Sequence, residues 1–360
     1  MNLQKLSGAW IPIVSIIFGL LAGAIIMLIF GYNPIAGYIA LIEGAFGNSY
    51  FTGQTILLTT PYILSGLAVA FAFRTGLLNI GVEGQVLVGW LASVTVGLLF
   101  DFPMIIHLPL AILAAIIAGG LWGFIPGYFK ARFHVHEVIV TIMMNYIALY
   151  STNAIVRNVL TDGSDRTEYI SDSASLKASW LSNLMPNSNV HTGIFLAIVA
   201  ALFFWYFIEK TKYGYELKAV GFNPHASQYA GMSVKRNIIL SMTISGGFAG
   251  LAGAMEGIGN FGYMSLNNGF TNIGFDGIAI ALLGGNVAFG VVLAAGLFGF
   301  LKVGALNMPL SAGVPNELVD IITALIIFFV AASYMIILLR DRLKTLYQRI
   351  KNKLKGGGRS

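Results

Sequence analysis

The sequence lacks cysteine and is poor in charged residues. Asp, Glu, Lys and Arg together make up only 10% of its 360 residues, whereas ordinary soluble domains carry about 25%. The absence of cysteine excludes disulfides and thiolate chemistry, and the scarcity of charge argues against a soluble globular surface. Hydrophobic residues instead account for 57% of the chain. This composition predicts a membrane protein.

Several catalytic and cofactor motifs are also missing. There is no Gly-x-x-x-x-Gly-Lys-Ser/Thr phosphate loop, no Gly-x-Ser-x-Gly elbow and no His-Glu-x-x-His pattern. His134, His136 and Glu137 do not have a metal-ligand spacing, so we expect no metal site. We therefore expect no catalytic residue and no cofactor in this chain, and any ATP must be bound by a partner.

Long apolar runs set the fold class. A helix needs about 20 mainly apolar residues to cross a bilayer, and the runs do not alternate as barrel strands do. The sequence predicts an all-α polytopic membrane protein with about ten spans. The predicted spans are 11–30, 55–73, 78–99, 107–129, 138–156, 193–209, 238–258, 274–289, 290–306 and 317–339. The first is interpreted as uncleaved, and 34–54 as a re-entrant or surface helix.

Basic residues predict the orientation, because cytoplasmic loops gather Lys and Arg. Lys5, Lys130, Arg132 and the segment 210–237 fall on one side of a ten-span arrangement, together with a basic tail at 341–360. We expect both termini in the cytoplasm, 157–192 outside the cell, and one permease domain over 1–340. Residues 340–355 place Leu343, Leu346, Ile350 and Leu354 at helical spacing among basic residues, which predicts an amphipathic helix on the inner leaflet. The alternative is a positive-inside anchor without a regulatory role.

A six-residue pattern occurs once in each half. Residues 79–84 read Asn-Ile-Gly-Val-Glu-Gly, and residues 272–277 read Asn-Ile-Gly-Phe-Asp-Gly. Three further matches keep the same order, namely Ser65-Gly66 with Ser245-Gly246, 120–124 with 296–300, and Glu137-Val138 with Glu317-Leu318. With the predicted orientation, spans 2–5 and 7–10 form an inverted repeat. Such repeats place a solute site near the midplane of the membrane, and rocking of the halves gives alternating access.

Polar residues in apolar surroundings are the candidates for a solute pathway. The candidates are Asn79, Glu83, Gln85, Asn145, Tyr146, Asn272, Asp276 and Asn286. A carboxylate inside a bilayer usually faces a partner or a water-filled path. The alternative for the two acids is a structural cap at a helix start, and for the amides an interhelical hydrogen bond.

The cytoplasmic segment 210–237 contains a short predicted helix. Asn223 suits the N-cap, Pro224 the first turn and Gly231 the C-terminal cap, which bounds a helix at about 224–230. A helix this short is marginal by itself. Contact with a partner surface would explain its retention, and an ordinary capped loop is the alternative.

Two stretches resemble a known family. They are residues 74–85, Arg-Thr-Gly-Leu-Leu-Asn-Ile-Gly-Val-Glu-Gly-Gln, and residues 219–231, Ala-Val-Gly-Phe-Asn-Pro-His-Ala-Ser-Gln-Tyr-Ala-Gly. They are similar to permease subunits of bacterial ABC importers for ribose, branched-chain amino acids and nucleosides, and look most like the nucleoside branch. The resemblance covers roughly 55–340. Ala226-Ser227 stands where the family commonly has Ala-Ala.

The resemblance implies a type II importer permease in the bacterial cell membrane. Its implied partners are cytoplasmic ATPase subunits that bind ATP and Mg, a solute-binding lipoprotein and a second permease subunit. The implied ATPase-coupling residues are Gly221, Asn223, Pro224, Ala226, Ser227, Tyr229, Ala230 and Gly231. The residues leave open an ion-gradient-driven secondary transporter and an ABC permease for a sugar or amino acid. Nucleic-acid binding is not expected, because the basic residues are dispersed at span ends.

Overall fold

The computed structural model describes residues 3–331. Six helices form the first part of the chain: α1 Leu3–Ile29, α2 Pro34–Phe46, α3 Ser49–Arg74, α4 Val82–Leu99, α5 Met104–Phe133 and α6 Glu137–Ile155. Nine more follow: α7 Ser179–Leu184, α8 Gly193–Lys210, α9 Lys212–Phe222, α10 Pro224–Tyr229, α11 Val234–Ala254, α12 Ile273–Leu283, α13 Ala288–Ala305, α14 Met308–Ala312 and α15 Asn316–Ala331. The predicted amphipathic helix at 340–355 lies outside the described residues.

Seven helical stretches within residues 3–331 are long and apolar enough to cross a membrane, so this is a multi-pass membrane protein. They are Ser49–Arg74, Val82–Leu99, Met104–Phe133, Glu137–Leu160, Gly193–Lys210, Val234–Phe261 and Ala288–Ala305. Shorter apolar helical stretches are Ile16–Ile29 within α1, Pro34–Phe46 and Ile273–Leu283. Each predicted span from the second to the seventh, and the ninth, corresponds to one of the seven.

The eighth predicted span is shorter than the sequence indicated. The prediction extended it over 274–289, but α12 ends at Leu283. The cause is local backbone geometry: Gly285 and Asn286 both have positive φ, at 62° and 56°. This left-handed conformation cannot continue a right-handed helix. Apolar composition alone did not reveal the break.

Two spans end in a π-helical turn. The segment Val156–Leu160 continues α6, and Met255–Phe261 continues α11. Between α6 and α8 the predicted external loop contains a short 3₁₀ turn, Asp172–Ala174, and α7. Residues 262–272 then run without regular structure to the start of α12. A backbone bond from Thr167 N to Met264 O, 2.9 Å long, joins these two connecting segments.

The chain divides into two compact units, and the larger is Ile42–Gly304. Close backbone packing organises its core. A Cβ on Gly123 of α5 would collide with the Met242 carbonyl of α11, and one on Gly250 of α11 would collide with the Ala115 carbonyl of α5. Small residues allow such helices to approach closely in a membrane, where van der Waals packing holds helices together.

The smaller unit combines Met1–Leu41 with Ala305–Ser360, of which residues 3–41 and 305–331 are described. In it, α1 packs along α15. The Asn307 side chain donates to the Ala40 carbonyl at 3.0 Å, which joins the middle of α2 to the residue before α14. The α15 helix begins next to Glu317, as α6 begins at the matching Glu137.

Candidate solute pathway and coupling segment

Both copies of the repeated pattern open a helix in the larger unit. The first copy begins α4 at Val82, and the second begins α12 at Ile273. The two starts lie against each other, because a Cβ on Gly274 would collide with the backbone of Glu83. The repeated motifs, separated by almost 200 positions, therefore meet at one crossing point.

The Glu83 carboxylate spans this crossing. The residue is fully buried. Its Oε1 accepts hydrogen bonds from Thr271 Oγ1 at 2.6 Å and from Asn272 N at 2.9 Å, and its Oε2 accepts from Gly274 N at 2.7 Å. Glu83 thus caps the start of α12, although it belongs to α4. A carboxylate at a helix N-terminus is stabilised by the free N–H groups and the positive end of the helix dipole.

The second acid, Asp276, makes a different set of contacts. Its Oδ2 accepts from the Tyr62 hydroxyl of α3 at 2.8 Å and lies 3.4 Å from Lys302 Nζ of α13. The Asp276 side chain remains 16% exposed, so it reaches accessible space as well as these partners. Sequence reasoning missed Tyr62 and Lys302. The sequence does indicate Lys302, because an ionisable residue inside an apolar span is rare and usually has a polar partner.

A third acid belongs to the same region. Glu256, in the π-helical end of the α11 span, is also buried. The carboxylates of Asp276, Glu256 and Glu83 are all close enough to interact electrostatically with the Tyr62 hydroxyl. Four polar side chains from α3, α4, the α11 span and α12 therefore lie in the same region of the larger unit.

The predicted amides form a buried network beside the crossing. Asn79 Nδ2 donates to Gln85 Oε1 at 2.9 Å and to Ser245 Oγ at 2.8 Å. Asn145 of α6 accepts from Gly84 N at 2.8 Å and donates to the Ile80 carbonyl at 3.0 Å. These bonds hold the unwound stretch before α4 in place, which favours the interhelical hydrogen-bonding interpretation of the amides.

The matched Ser-Gly pairs contact the opposite motif copy. Ser245, in the second half, bonds to Asn79 of the first motif. Conversely, a Cβ on Gly277 of the second motif would lie 2.9 Å from Ser65, in the first half. Each motif therefore packs on the Ser-Gly element of the other half.

Two predicted pathway residues lie elsewhere. Tyr146 is 46% exposed and packs its ring on Phe270, with centroids 5.1 Å apart. Asn286 lies in the turn after α12, where its carbonyl accepts from Arg74 Nε at 2.8 Å. Within the described residues, neither side chain makes a hydrogen bond to Glu83.

The predicted short helix is present as α10. Asn223 Oδ1 accepts from Ala226 N at 3.0 Å, which is the expected N-cap bond. Gly231 follows with φ of 82°, as a left-handed cap requires. Ser227 is buried, whereas Ala226, Ala230 and above all Tyr229, at 95% exposure, face outward. The preceding helix α9, whose last residue Phe222 is 90% exposed, was not predicted.

The end of α9 contacts the end of α3, where the connection to α4 begins. A Cβ on Gly221 would lie 2.6 Å from the Arg74 carbonyl, so the two backbones touch. Arg74 binds the turn after α12 through the Asn286 carbonyl, and its guanidinium lies 3.7 Å from Glu209. Lys218 of α9 pairs with the same Glu209 at 2.8 Å. This cluster connects the α9–α10 segment with the end of α3 and the end of α12.

Comparison with known proteins gives consistent results. The family described as "Branched-chain amino acid transport system / permease component" matches residues 51–331. The guanosine ABC transporter permease protein NupP of Bacillus subtilis is 62% identical over 95% of this chain and 98% of its own length. The nucleoside permease NupB of Lactococcus lactis is 42% identical over 96% and 97%. The glucose permease TsgB13 of Haloferax volcanii is 32% identical over 90% and 88%. No solved structure is significantly similar to this chain.

Proposed function

Because this chain belongs to the family of branched-chain amino acid transport system permease components, we propose that it is the membrane subunit of an ATP-driven importer for nucleosides. The observation that carries the solute class is the 62% identity, over nearly the whole length of both chains, with a permease named for guanosine. A second relative named for nucleosides covers 96% of the chain. A sugar is the alternative solute, since the glucose permease is 32% identical.

The proposed pathway passes the crossing of α4 and α12. In an inverted repeat, α4 enters from the cytoplasmic side and α12 from the outer side, with both termini in the cytoplasm and 157–192 outside. The reciprocal contacts of Asn79 with Ser245 and of Gly277 with Ser65 support this arrangement. Asp276 and Tyr62 then lie where a polar solute crosses the midplane. Relative rocking of the two halves opens this point to alternate sides.

ATP hydrolysis is supplied by a partner, and α10 is proposed to transmit it. The exposed aromatic side chains of Phe222 and Tyr229 favour docking into an ATPase surface. Movement of α10 reaches Gly221, then Arg74, and from Arg74 the Asn286 turn at the end of α12. Two permease subunits, alike or sister chains, would face two ATPase subunits. A solute-binding lipoprotein would deliver the nucleoside.

Reconstitution tests the proposal. The permease, its ATPase and its lipoprotein are placed in liposomes, and guanosine uptake is measured with ATP, without ATP, and with a proton ionophore. ATP-dependent uptake that resists the ionophore is expected. Uptake without the ATPase that collapses with the ionophore would instead identify a secondary transporter. ATP-dependent uptake of glucose but not guanosine would favour the sugar alternative.

A further inference from the structure

Glu256 lies outside the repeated motifs and outside the predicted candidates. It belongs to the π-helical segment Met255–Phe261, and only 5% of its surface is exposed. Ionisable residues inside spans are rare and usually mark solute or ion paths. Single π-helical turns inside α-helices are frequent at functional sites. These two features coincide at one residue.

The hydrogen bonding of Glu256 is incomplete. Asn260 Nδ2 donates to Glu256 Oε2 at 3.0 Å. Within residues 3–331 this is the one hydrogen bond of the Glu256 carboxylate, and Asn260 Oδ1 has no donor there either. Neither Glu256 Oε1 nor Asn260 Oδ1 is among the fully enclosed polar atoms that lack a partner. Both oxygens therefore reach accessible space and have spare acceptor capacity. The hydrogen bond between the Asn260 amide and the Glu256 carboxylate keeps the two polar groups next to each other.

Polar and aromatic groups lie near this acceptor pair. Glu256 acts electrostatically on the Tyr62 hydroxyl, which itself donates to Asp276. Next to Asn260 in the chain, Phe261 stacks on Trp90 with centroids 5.2 Å apart and ring planes 13° apart. Trp90 Nε1 donates to the Tyr263 carbonyl at 3.0 Å, which fixes the indole. Phe261 remains 40% exposed, so part of its ring is open to another ring.

We propose that Glu256 and Asn260 bind the solute by accepting two adjacent O–H or N–H donors. In a nucleoside these are the paired hydroxyls of the ribose or the N–H edge of a purine such as guanine, with the base against Phe261. The assignment rests on the proposed nucleoside transport. It places a first contact point beside Tyr62 and Asp276, which the solute meets next.

The test uses the complete reconstituted importer with one unchanged lipoprotein. Initial ATP-driven uptake is measured for guanosine, for 2′-deoxyguanosine, which lacks one ribose donor, and for inosine, which lacks the purine amino group. For the wild type, we expect uptake at least tenfold more efficient for guanosine than for one of the two analogues. The analogue that is taken up less well shows whether the ribose hydroxyls or the purine N–H groups donate to Glu256 and Asn260. Glu256→Gln should lower guanosine uptake at least tenfold and remove most of that preference. Glu43→Gln, an exposed acid on α2, is the matched control and should leave both unchanged.

Several results would overturn the assignment. They are unchanged uptake and preference in Glu256→Gln, an equal fall for all three solutes, or a wild type that treats the three alike. If Glu256→Gln does not assemble with its ATPase, Asn260→Ala serves as the second test, because it removes the other acceptor. This variant should weaken the same preference for guanosine. A preference equal to that of the wild type would overturn the proposal. Absence of ATP-driven nucleoside uptake by the wild type would reject the proposed function itself. Normal wild-type uptake, together with unchanged uptake and solute preference in Glu256→Gln, would reject only this site.

Discussion

The Glu83 carboxylate of α4 accepts a hydrogen bond from the Gly274 N–H of α12 at 2.7 Å, so an acid in the first turn of one helix caps the start of the other. The bond connects residues 191 positions apart. It joins the two halves at the crossing of α4 and α12. Changes on either side of this bond should therefore affect the assembly of both helices.

Replacement of Glu83 by Gln should destabilise the permease and impair uptake. The variant keeps the shape but presents an NH₂ group to donors that need an acceptor. Loss of hydrogen bonds to a charged group costs roughly 1.5–3 kcal/mol each. We expect a lower unfolding temperature in detergent and slower uptake, with retained ATPase copurification. Thr271→Val removes one of the three donors and should have a smaller effect; an unfolding temperature for Glu83→Gln equal to that of wild type would contradict the capping role.

Gly274→Ala tests the closeness of the crossing. The added methyl would overlap the Glu83 backbone, which cannot move aside as a flexible side chain can. Over-packing of this kind costs about 1–3 kcal/mol. Gly296→Ala on α13 is the control, because a Cβ there meets no heavy atom within 4 Å. Thermal unfolding of the two purified variants should separate them, and equal midpoints would mean that the helices are not in contact.

Gly231→Val should weaken coupling while the membrane region remains folded. Gly231 has φ of 82° and open space around it, so the cost is backbone strain, not collision. A left-handed non-glycine residue costs roughly 1–2 kcal/mol, and a branched residue tolerates it poorly. Gly231→Asn is the matched control, since asparagine adopts this conformation more readily. The ratio of guanosine taken up to ATP hydrolysed should fall in Gly231→Val and remain near the wild-type value in Gly231→Asn. An unchanged ratio in both variants would mean that the end of α10 has no role in coupling.

Acid should destabilise the loop between α6 and α8 through His191. The ring is buried, its Nδ1 accepts from Gly193 N at 3.0 Å, and burial lowers the pKa of His191 to about 4. The unfolded value is about 6.5, so the unfolded state binds the proton first. Stability is complete above about pH 6.5 and falls as the pH drops towards 4.

A comparison of unfolding temperatures at pH 7.5 and pH 5 measures this contribution. The decrease should be smaller in His191→Gln than in the wild type, because the titrating ring is gone. His225→Gln, at an exposed position on α10, should decrease like the wild type. An equal decrease in all three proteins would assign the acid sensitivity to other groups.

Single cysteines can establish the proposed topology, since the chain has none of its own. Ser164→Cys in the loop between α6 and α8 and His225→Cys on α10 are both at exposed positions. A membrane-impermeant thiol reagent should label Ser164→Cys in intact cells and His225→Cys only after the cells are opened. Labelling of both from outside would contradict the inverted arrangement. Ser227 is less suitable because it is 4% exposed.

Local signals in the sequence predicted much of the fold. Apolar run length located most spans to within a few residues, and Asn223, Pro224 and Gly231 located α10, because a cap acts on its own turn. The short α12 was overestimated, since an apolar run continues through the Gly285-Asn286 turn. The capping of α12 by Glu83, and the position of Glu256 relative to Tyr62, depend on contacts between residues far apart in the chain. No local pattern encodes such contacts.

The meeting of α4 and α12 also bears on which ions can bind at the crossing. Helix starts attract anions, because each carries a partial charge of roughly +0.5 and free N–H groups. At the start of α12, the Glu83 carboxyl group accepts hydrogen bonds from the Thr271 hydroxyl and from the Asn272 and Gly274 N–H groups. These donors are therefore already occupied by a group of the chain itself, so the contact that joins the two halves also removes a binding place for a free anion such as chloride.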